Sequence, residues 1–150
     1  MLLKKELIRV GLEGETNEEV LRSLASVFVE AGVAKESYPD AIVLREQNYP
    51  TALPATAFDI AVPHTFAEHV NEPAMGCAVL AHPVEFRQMG SPDITLHPQV
   101  LFMLAITDSQ DQISTLKKIM GLIQDPETLK KVRDAKSVDE VYDLLHEVLA

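Results

Sequence analysis

The segment QVLFMLAIT, residues 99–107, restricts the fold more than any other part of the sequence, because it is apolar throughout. A strand that is apolar on both sides has to be covered by helices on both faces of its sheet. Two further segments, MGCAVLAHPV (75–84) and AFDIAV (57–62), also predict strands, and Pro63 closes the second of them. The first ten residues alternate loosely and predict one more short strand.

Two helices are predicted ahead of these strands. Thr16 and Glu19 form a capping box, apolar residues then recur at helical spacing, and Gly32 stops the helix. Ser37, with Asp40 three residues later, predicts a capped start for a second helix.

Three helices are predicted after the strands. The first covers SQDQISTLKKIMGLIQD (109–125), the second begins at Pro126, and a capping box of Ser137 and Glu140 opens the third. The first of these helices has an apolar stripe that is expected to be buried, made of Ile113, Leu116, Ile119, Met120 and Ile123.

The order of these elements predicts the fold class. Helices come first, then several strands, then helices again, which differs from a strictly alternating doubly wound protein. We therefore predict an α/β fold, a three-layer α/β/α sandwich with a mixed central sheet flanked by helices on both faces. The length of 150 residues fits a single domain over 1–150.

Charge and composition exclude several classes of function. The formal net charge is −10, and no stripe of Lys or Arg is present to hold a nucleic-acid backbone. No apolar run approaches the ~20 residues of a membrane span. The N-terminus carries charges within its apolar stretch and lacks a small-residue cleavage site, unlike a signal peptide. We expect a cytoplasmic protein with no nucleic-acid partner and no direct membrane insertion.

Most catalytic and metal-binding patterns are missing. The sequence has no H-E-x-x-H, no G-x-S-x-G, no phosphate-binding P-loop and no G-x-G-x-x-G. Its one cysteine, Cys77, stands in an apolar segment, which favours an inert core thiol. His64 and His69 are five residues apart, about 140° around a helix, which does not suit two ligands on one face. No metal site is predicted, although a composite site remains geometrically possible.

His64 is the strongest candidate for chemistry. It follows Pro63 where the strand 57–62 is expected to end, and active sites of open α/β folds gather at strand ends. A neutral imidazole with one nitrogen held by a carbonyl presents the other as a nucleophile. Attack on a phosphoryl group would give phosphohistidine, and such transfer needs little beyond positioning and a cation. From the residues alone, a structural or surface histidine remains the alternative.

The stretch LREQNYPTALPATAFDIAVPHT (44–65) resembles the enzyme IIA domain of the fructose/mannitol type, EIIA type 2, in the bacterial sugar phosphotransferase system. Three pieces carry the resemblance: Arg45-Glu46, Pro50-Thr51 and Ile60-Ala61-Val62-Pro63-His64. Downstream, VLFMLAITDSQDQISTLKKIMGLIQD resembles the family's apolar strand and following helix, and KSVDEVYDLL resembles its closing helix. The resemblance therefore covers nearly the whole chain.

The resemblance implies roles for five residues. His64 would accept and donate the phosphoryl group through Nε2. Arg45 would face the phosphoryl oxygens, where a planar guanidinium neutralises charge. Gln112 stands where many members have a second histidine, and it would supply a neutral hydrogen bond. Thr51 and Glu46, as substrate-binding residues, would order the loop around the site.

The resemblance also implies partners and a place in sugar uptake. The chain would be a phosphotransferase component that takes phosphate from the histidine-containing phosphocarrier protein and passes it to a IIB component, which serves the membrane transporter IIC. Gln112 and the sequence pattern R-E-x-x-[YF]-P-T resemble the galactitol-specific subgroup more than the mannitol and fructose types, which indicates a sugar or polyol of that kind. No metal or organic cofactor is implied. A regulatory IIA paralogue that signals through His64, and a non-catalytic binding module, remain the alternatives.

Overall fold

The computed structural model describes residues 2–149, and the apolar segment 99–107 supplies an inner strand of its sheet. Within these residues the strands are β1 (Leu3–Leu12), β2 (Ala52–Leu53), β3 (Ile60–Ala61), β4 (Ala74–Leu80), β5 (Phe86–Gln88), β6 (Ser91–Leu96) and β7 (Val100–Ala105). They form one sheet in the order β1-β4-β7-β3-β2-β5-β6. Parallel and antiparallel pairs alternate along this order, so the sheet is mixed.

The α-helices of the described residues cover both faces of the sheet. They are α1 (Asn17–Glu30), α2 (Tyr38–Asn48), α3 (Ser109–Ile123), α4 (Pro126–Asp134) and α5 (Val138–Leu149). Side chains of α1 and α2 share one buried core with one face of the sheet, and those of α3, α4 and α5 share a second core with the other face. None of these helices combines the length and the apolar character that a bilayer crossing requires.

Residues of β7 alternate between the two cores. Leu101 and Met103 pack on the side of α1 and α2, whereas Phe102 and Leu104 pack on the side of α3, α4 and α5. Because both faces of the strand are buried, an unbroken apolar sequence is the expected pattern. The predicted three-layer α/β/α fold with a mixed sheet is confirmed.

Several predicted strand boundaries are wrong. The segment 57–62 pairs as a strand only at Ile60–Ala61, and the strand predicted over 75–84 ends at Leu80. The sequence pattern does not indicate β2, β5 or β6. Strands β2 and β5 are two and three residues long, so their pairing depends on neighbouring chain segments rather than on a local period.

The helix starts follow the predictions in part. The hydroxyl of Thr16 accepts the N–H of Glu19 at 3.2 Å, as expected, and the Glu19 carboxylate accepts the N–H of Glu15 at 2.8 Å. The cap predicted at Ser37 is wrong, since its side chain makes no cap hydrogen bond. Ser37 has helical backbone angles rather than the extended ones that a side-chain cap needs, and its hydroxyl lies 2.8 Å from Nδ1 of His69.

The buried face of α3 differs from the predicted stripe. Ile119 and Ile123 are buried as expected, but Ile113 and Met120 are 49% and 46% exposed. Leu122, outside the predicted stripe, is fully buried instead. The apolar residues of α3 thus extend beyond its core-facing side onto the surface.

The sheet topology determines where His64 lies. Strands β3 and β7 run parallel, so their carboxyl ends share one edge of the sheet. The N–H of Leu104 donates to the carbonyl of Pro63 at 3.0 Å, which extends this pairing past the end of β3. His64 therefore follows β3 at the edge where α3 begins after β7, which is the usual place for sites in open α/β sheets.

Candidate functional site

The ring of His64 is held through one of its nitrogens. Its Nδ1 lies 2.8 Å from the carbonyl oxygen of Val62. A carbonyl oxygen can only accept, so the neutral ring carries its proton on Nδ1 and its lone pair on Nε2. Burial lowers the pKa of His64 from its ordinary value, and the charge of Arg45 lowers it further, while the hydrogen bond to Val62 opposes both. The ring is therefore neutral at neutral pH, with Nε2 as the nucleophilic nitrogen.

Arg45 supplies a positive charge beside His64. It lies in the last turn of α2, and its guanidinium carbon is 4.3 Å from the ring centre of Tyr49 and 5.4 Å from that of Phe66. Stacking on these two rings restricts the position of the guanidinium plane. The ion pairs formed among residues 2–149 do not involve Arg45, which leaves its N–H donors for an anion.

Two neighbouring cavities meet at His64 and Arg45, because both residues line each of them. The first has a volume of about 290 Å³ and is bounded by Phe66 and by the start of α3, where Gln112 lines it. The second has a volume of about 350 Å³ and is lined by Thr51 and by the turn between β5 and β6. The imidazole and the guanidinium thus stand between two open spaces.

The start of α3 forms one wall of the first cavity. Asp108 caps this helix, and its Oδ1 accepts the N–H of Gln110 at 2.7 Å. Ser109 and Gln112 line the cavity from the first turn. The fold therefore brings Gln112 to the same cavity as His64 and Arg45, although the three come from different segments of the chain.

Glu46 and Thr51 meet behind the site. Glu46 is only 6% exposed; its Oε2 accepts the N–H of Thr51 at 2.8 Å, and its Oε1 accepts the Thr51 hydroxyl at 2.6 Å. Burial raises the pKa of Glu46 to about 7, against the two hydrogen bonds and the charge of Arg45. Thr51 lines the second cavity and Glu46 lines neither, so the carboxylate contacts the loop at Thr51 rather than the cavities themselves.

Three apolar side chains around the cavities are not singled out by the sequence patterns. Tyr49, Phe66 and Met89 line a cavity, and they are 62%, 61% and 36% exposed. Tyr49 stands four residues after Arg45, a helical spacing that indicates contact between the two. Phe66 and Met89 carry no local signal, because only the fold brings their segments together. The three residues give the site an exposed apolar rim.

The other residues considered for chemistry lie elsewhere. Nδ1 of His69 faces Ser37, and the ring of His146 stacks on Tyr142 with centres 5.5 Å apart. Cys77 is fully buried in β4, which raises the pKa of its thiol far above the ordinary value. Among residues 2–149, no three His, Cys, Asp or Glu side chains are grouped to hold a metal ion.

One protein family matches nearly the whole chain. The family described as "Phosphoenolpyruvate-dependent sugar phosphotransferase system, EIIA 2" matches residues 1–148. The chain is similar to the galactitol-specific EIIA component of Escherichia coli K12, with 25% identity over 123 residues, which are 82% of this chain and 81% of that protein. It is also similar to the mannitol-specific EIICBA component of Vibrio cholerae, with 30% identity over 146 residues, which are 95% of this chain and 21% of that protein.

The fold is shared with a solved structure. Enzyme IIA of the mannitol system of Escherichia coli, in its complex with phosphorylated enzyme IIB, superposes with a TM-score of 0.81 at 24% identity. The match covers 97% of this chain and 99% of that one. At this level of identity the likeness concerns the α/β architecture.

Proposed function

This chain belongs to the EIIA 2 family of the phosphoenolpyruvate-dependent sugar phosphotransferase system, and from that premise we propose that it is a phosphoryl carrier. Residues 1–150 act as one domain, in which His64 accepts a phosphoryl group from the histidine-containing phosphocarrier protein and passes it to a IIB component. The observation that carries this proposal is the 2.8 Å hydrogen bond from Nδ1 of His64 to Val62, which leaves Nε2 free beside Arg45.

The transfer step needs no oxidant, reductant or metal ion. The lone pair on Nε2 attacks phosphorus, a P–N bond forms, and the P–N bond of the donor histidine breaks with its electron pair staying on the donor nitrogen. Each ring keeps the proton on its other nitrogen, so the positive charge passes from the donor ring to His64. The Val62 carbonyl stabilises that charge through the Nδ1–H hydrogen bond. A cysteine of IIB then attacks the same phosphorus, and Nε2 regains its pair.

Four further residues support the transfer. Arg45 neutralises the phosphoryl oxygens with a guanidinium that no other described side chain uses in an ion pair. Gln112, which lines the first cavity, donates a neutral hydrogen bond to the phosphoryl group. Thr51 and Glu46 order the loop next to the second cavity.

The partners follow from the same premise. The exposed rim of Tyr49, Phe66 and Met89 suits transient docking of proteins around the histidine. A IIB component is the receiving partner, since a mannitol enzyme IIA of the same fold is solved in complex with phosphorylated enzyme IIB. The membrane transporter IIC is served indirectly, from the cytoplasm. We assign a galactitol-type sugar or polyol, which the galactitol-specific relative supports.

The carrier proposal is tested by phosphorylation in a purified system. Phosphoenolpyruvate, the first enzyme of the system and the phosphocarrier protein should add one phosphoryl group, labile to acid and stable to base, to the full chain. His64→Ala should abolish labelling, and His69→Ala, the matched control, should keep it. Full labelling of His64→Ala, measured by intact-protein mass spectrometry at neutral pH, would end the assignment.

A second stage separates transport from regulation. Adding a galactitol-type IIB component should discharge the phosphorylated chain. Phosphorylation of His64 without discharge by any IIB component would favour the regulatory alternative over the transport role.

A further inference from the structure

A continuous line of hydrogen bonds joins the buried carboxylate of Glu46 to the ring of His64. The carboxylate accepts both the N–H and the hydroxyl of Thr51, at 2.8 and 2.6 Å. The carbonyl of Thr51 accepts the N–H of Val62 at 3.1 Å. The carbonyl of Val62 in turn accepts Nδ1–H of His64 at 2.8 Å. Only two residues separate the carboxylate from the imidazole along this path.

This line matters because the direct pairing between β2 and β3 is short. Strands β2 and β3 are two residues long and pair at only two positions, Ala52 with Ala61 and Leu53 with Ile60. The bond between Thr51 and Val62 closes that short ladder on the side of the site. The peptide that carries the Val62 carbonyl is therefore held by Thr51 on one side and by the bond from Leu104 to Pro63 on the other.

We propose that Glu46 is a positioning residue whose ionised carboxylate, through Thr51 and Val62, keeps His64 in the Nδ1-protonated tautomer from which Nε2 transfers phosphate. This inference rests on the proposed function of His64 and adds a form of control to it. The rate of phosphoryl transfer through His64 rises as Glu46 ionises.

The two charge states of Glu46 hold Thr51 differently. An ionised carboxylate accepts both hydrogen bonds at full strength, because it carries only lone pairs. A protonated carboxyl has a donor of its own, so the Thr51 hydroxyl must turn to accept it and loses an acceptor for its own proton. Thr51 and Glu46 are only 2% and 6% exposed, so water does not readily replace that acceptor. Burial raises the pKa of Glu46 to about 7, which puts this change within the physiological pH range.

Few charged groups lie where they could shift the ionisation of Glu46. Arg45 on the same helix lowers its pKa. His64, after β3, and Asp108, before α3, both line the first cavity, which Glu46 does not line. From the turn after β5, the residues that line the second cavity are uncharged. Helix α1, which packs along α2, presents Arg22, and that residue is paired with Asp40 near the opposite end of α2.

The test replaces Glu46 by its neutral isostere. Glu46→Gln keeps the shape and copies the hydrogen-bond pattern of the protonated acid, because its amide oxygen can accept one bond and its NH2 can only donate. Glu147→Gln removes one exposed carboxylate from α5, in the opposite helix layer, and is the matched control. Thr51→Val keeps the N–H but removes the hydroxyl, and it serves as a second variant should Glu46→Gln fold poorly.

The first readout is the tautomer of His64, measured from the ¹⁵N shifts of its ring at pH 8. The wild type and Glu147→Gln should show the Nδ1-protonated form, and Glu46→Gln and Thr51→Val should show a larger share of the Nε2-protonated form. Wild-type ring shifts in both variants would overturn the proposal. This readout needs no phosphate, so failure of the carrier assignment and failure of the positioning role remain distinguishable.

The second readout is the rate of transfer from the phosphocarrier protein between pH 6 and pH 8.5. The ratio of the wild-type rate to the Glu46→Gln rate should be near one at pH 6 and rise to about tenfold at pH 8, the size of effect expected from the loss of one hydrogen bond. Titration of the donor cancels in this ratio. A ratio that stays constant across the range would show that Glu46 has no charge-dependent role and would overturn the proposal.

Discussion

In the proposed carrier role, the guanidinium of Arg45 has two effects that favour transfer at His64. Before phosphorylation, the charge of Arg45 lowers the pKa of the ring and so helps to keep Nε2 unprotonated. After phosphorylation, that charge lies beside the new phosphoryl oxygens, where it is attractive. One side chain therefore favours both the nucleophilic form of the ring and its phosphorylated product.

Replacing Arg45 should separate these effects from folding. Arg45→Ala should slow phosphorylation of His64 about 100-fold, in the range found when one preorganised charge-stabilising group is removed. Arg45→Lys should recover only part of the rate, because an ammonium lacks the planar two-pronged donor set. Rates come from rapid-quench labelling, and thermal unfolding of each variant provides the control for stability. Unchanged rates in Arg45→Ala would remove this residue from the site.

An NMR titration of the His64 ring checks the effect of the Arg45 charge on its pKa. Loss of the positive charge should raise the pKa of His64 in Arg45→Ala, whereas Arg45→Lys should leave it closer to the wild-type value. A lower pKa of His64 in Arg45→Ala would contradict the conclusion that the charge of Arg45 lowers this pKa.

At the scale of single elements, β4 depends on one glycine. The pairing of β1 with β4 is irregular between Leu3 and Ile8, and this brings the backbone of Leu7 over Gly76. A Cβ on Gly76 would lie 2.5 Å from the Leu7 carbonyl oxygen and 2.8 Å from the ring of Phe28. The strand can pack against β1 and α1 here only because no side chain is present.

Gly76→Ala should therefore destabilise the protein by about 1–3 kcal/mol, as overpacking of a buried site does. The matched control is Gly121→Ala in α3, where a Cβ would meet nothing within 4 Å. That change should stabilise by about 0.5–1 kcal/mol through helix propensity. Urea unfolding of both variants measures the difference. Equal stability of the two variants would show that the Leu7 backbone moves aside at little cost.

The elements differ in how far the sequence predicts them. Helix α1 follows from its helical period and strand β7 from its unbroken apolar run, since each buries many apolar residues. Strand β2 is missed because two residues carry no period. The outer part of the α3 stripe, at Ile113 and Met120, is apolar without being buried, so periodicity alone assigns it wrongly to the core. At the site, the sequence singles out His64 and Arg45, but the burial of Glu46 and the approach of Phe66 arise only from folding.

For the whole molecule, Glu46 ties stability to pH. Its pKa is raised from 4.5 to about 7 in the folded state, so the folded protein binds its proton more tightly than the unfolded chain. The contribution of this group is most favourable below the unfolded pKa. It is lost progressively as pH rises towards 7, above which both states are ionised. His64, with a lowered pKa, acts in the opposite sense, because the folded state prefers the neutral ring.

Comparing Glu46→Gln with the wild type isolates the contribution of Glu46 to the pH dependence of stability. Since the variant cannot ionise here, its stability relative to the wild type should improve by about 2 kcal/mol between pH 5 and pH 8. Urea unfolding at the two pH values gives this difference. A stability gap that does not change with pH would mean that the carboxylate is not significantly desolvated.

The antiparallel pairing of β4 with β7 determines where a fluorescent label can be placed to observe binding of a partner protein. Leu80 hydrogen-bonds to Gln99 at the amino end of β7, so the turn that follows lies at the edge of the sheet away from His64. Six residues of strand separate the two edges by about 20 Å. A fluorophore attached to a cysteine at exposed position 82, in the variant His82→Cys, would lie away from a protein docked at His64, yet near enough for energy transfer to a dye on that protein to report binding.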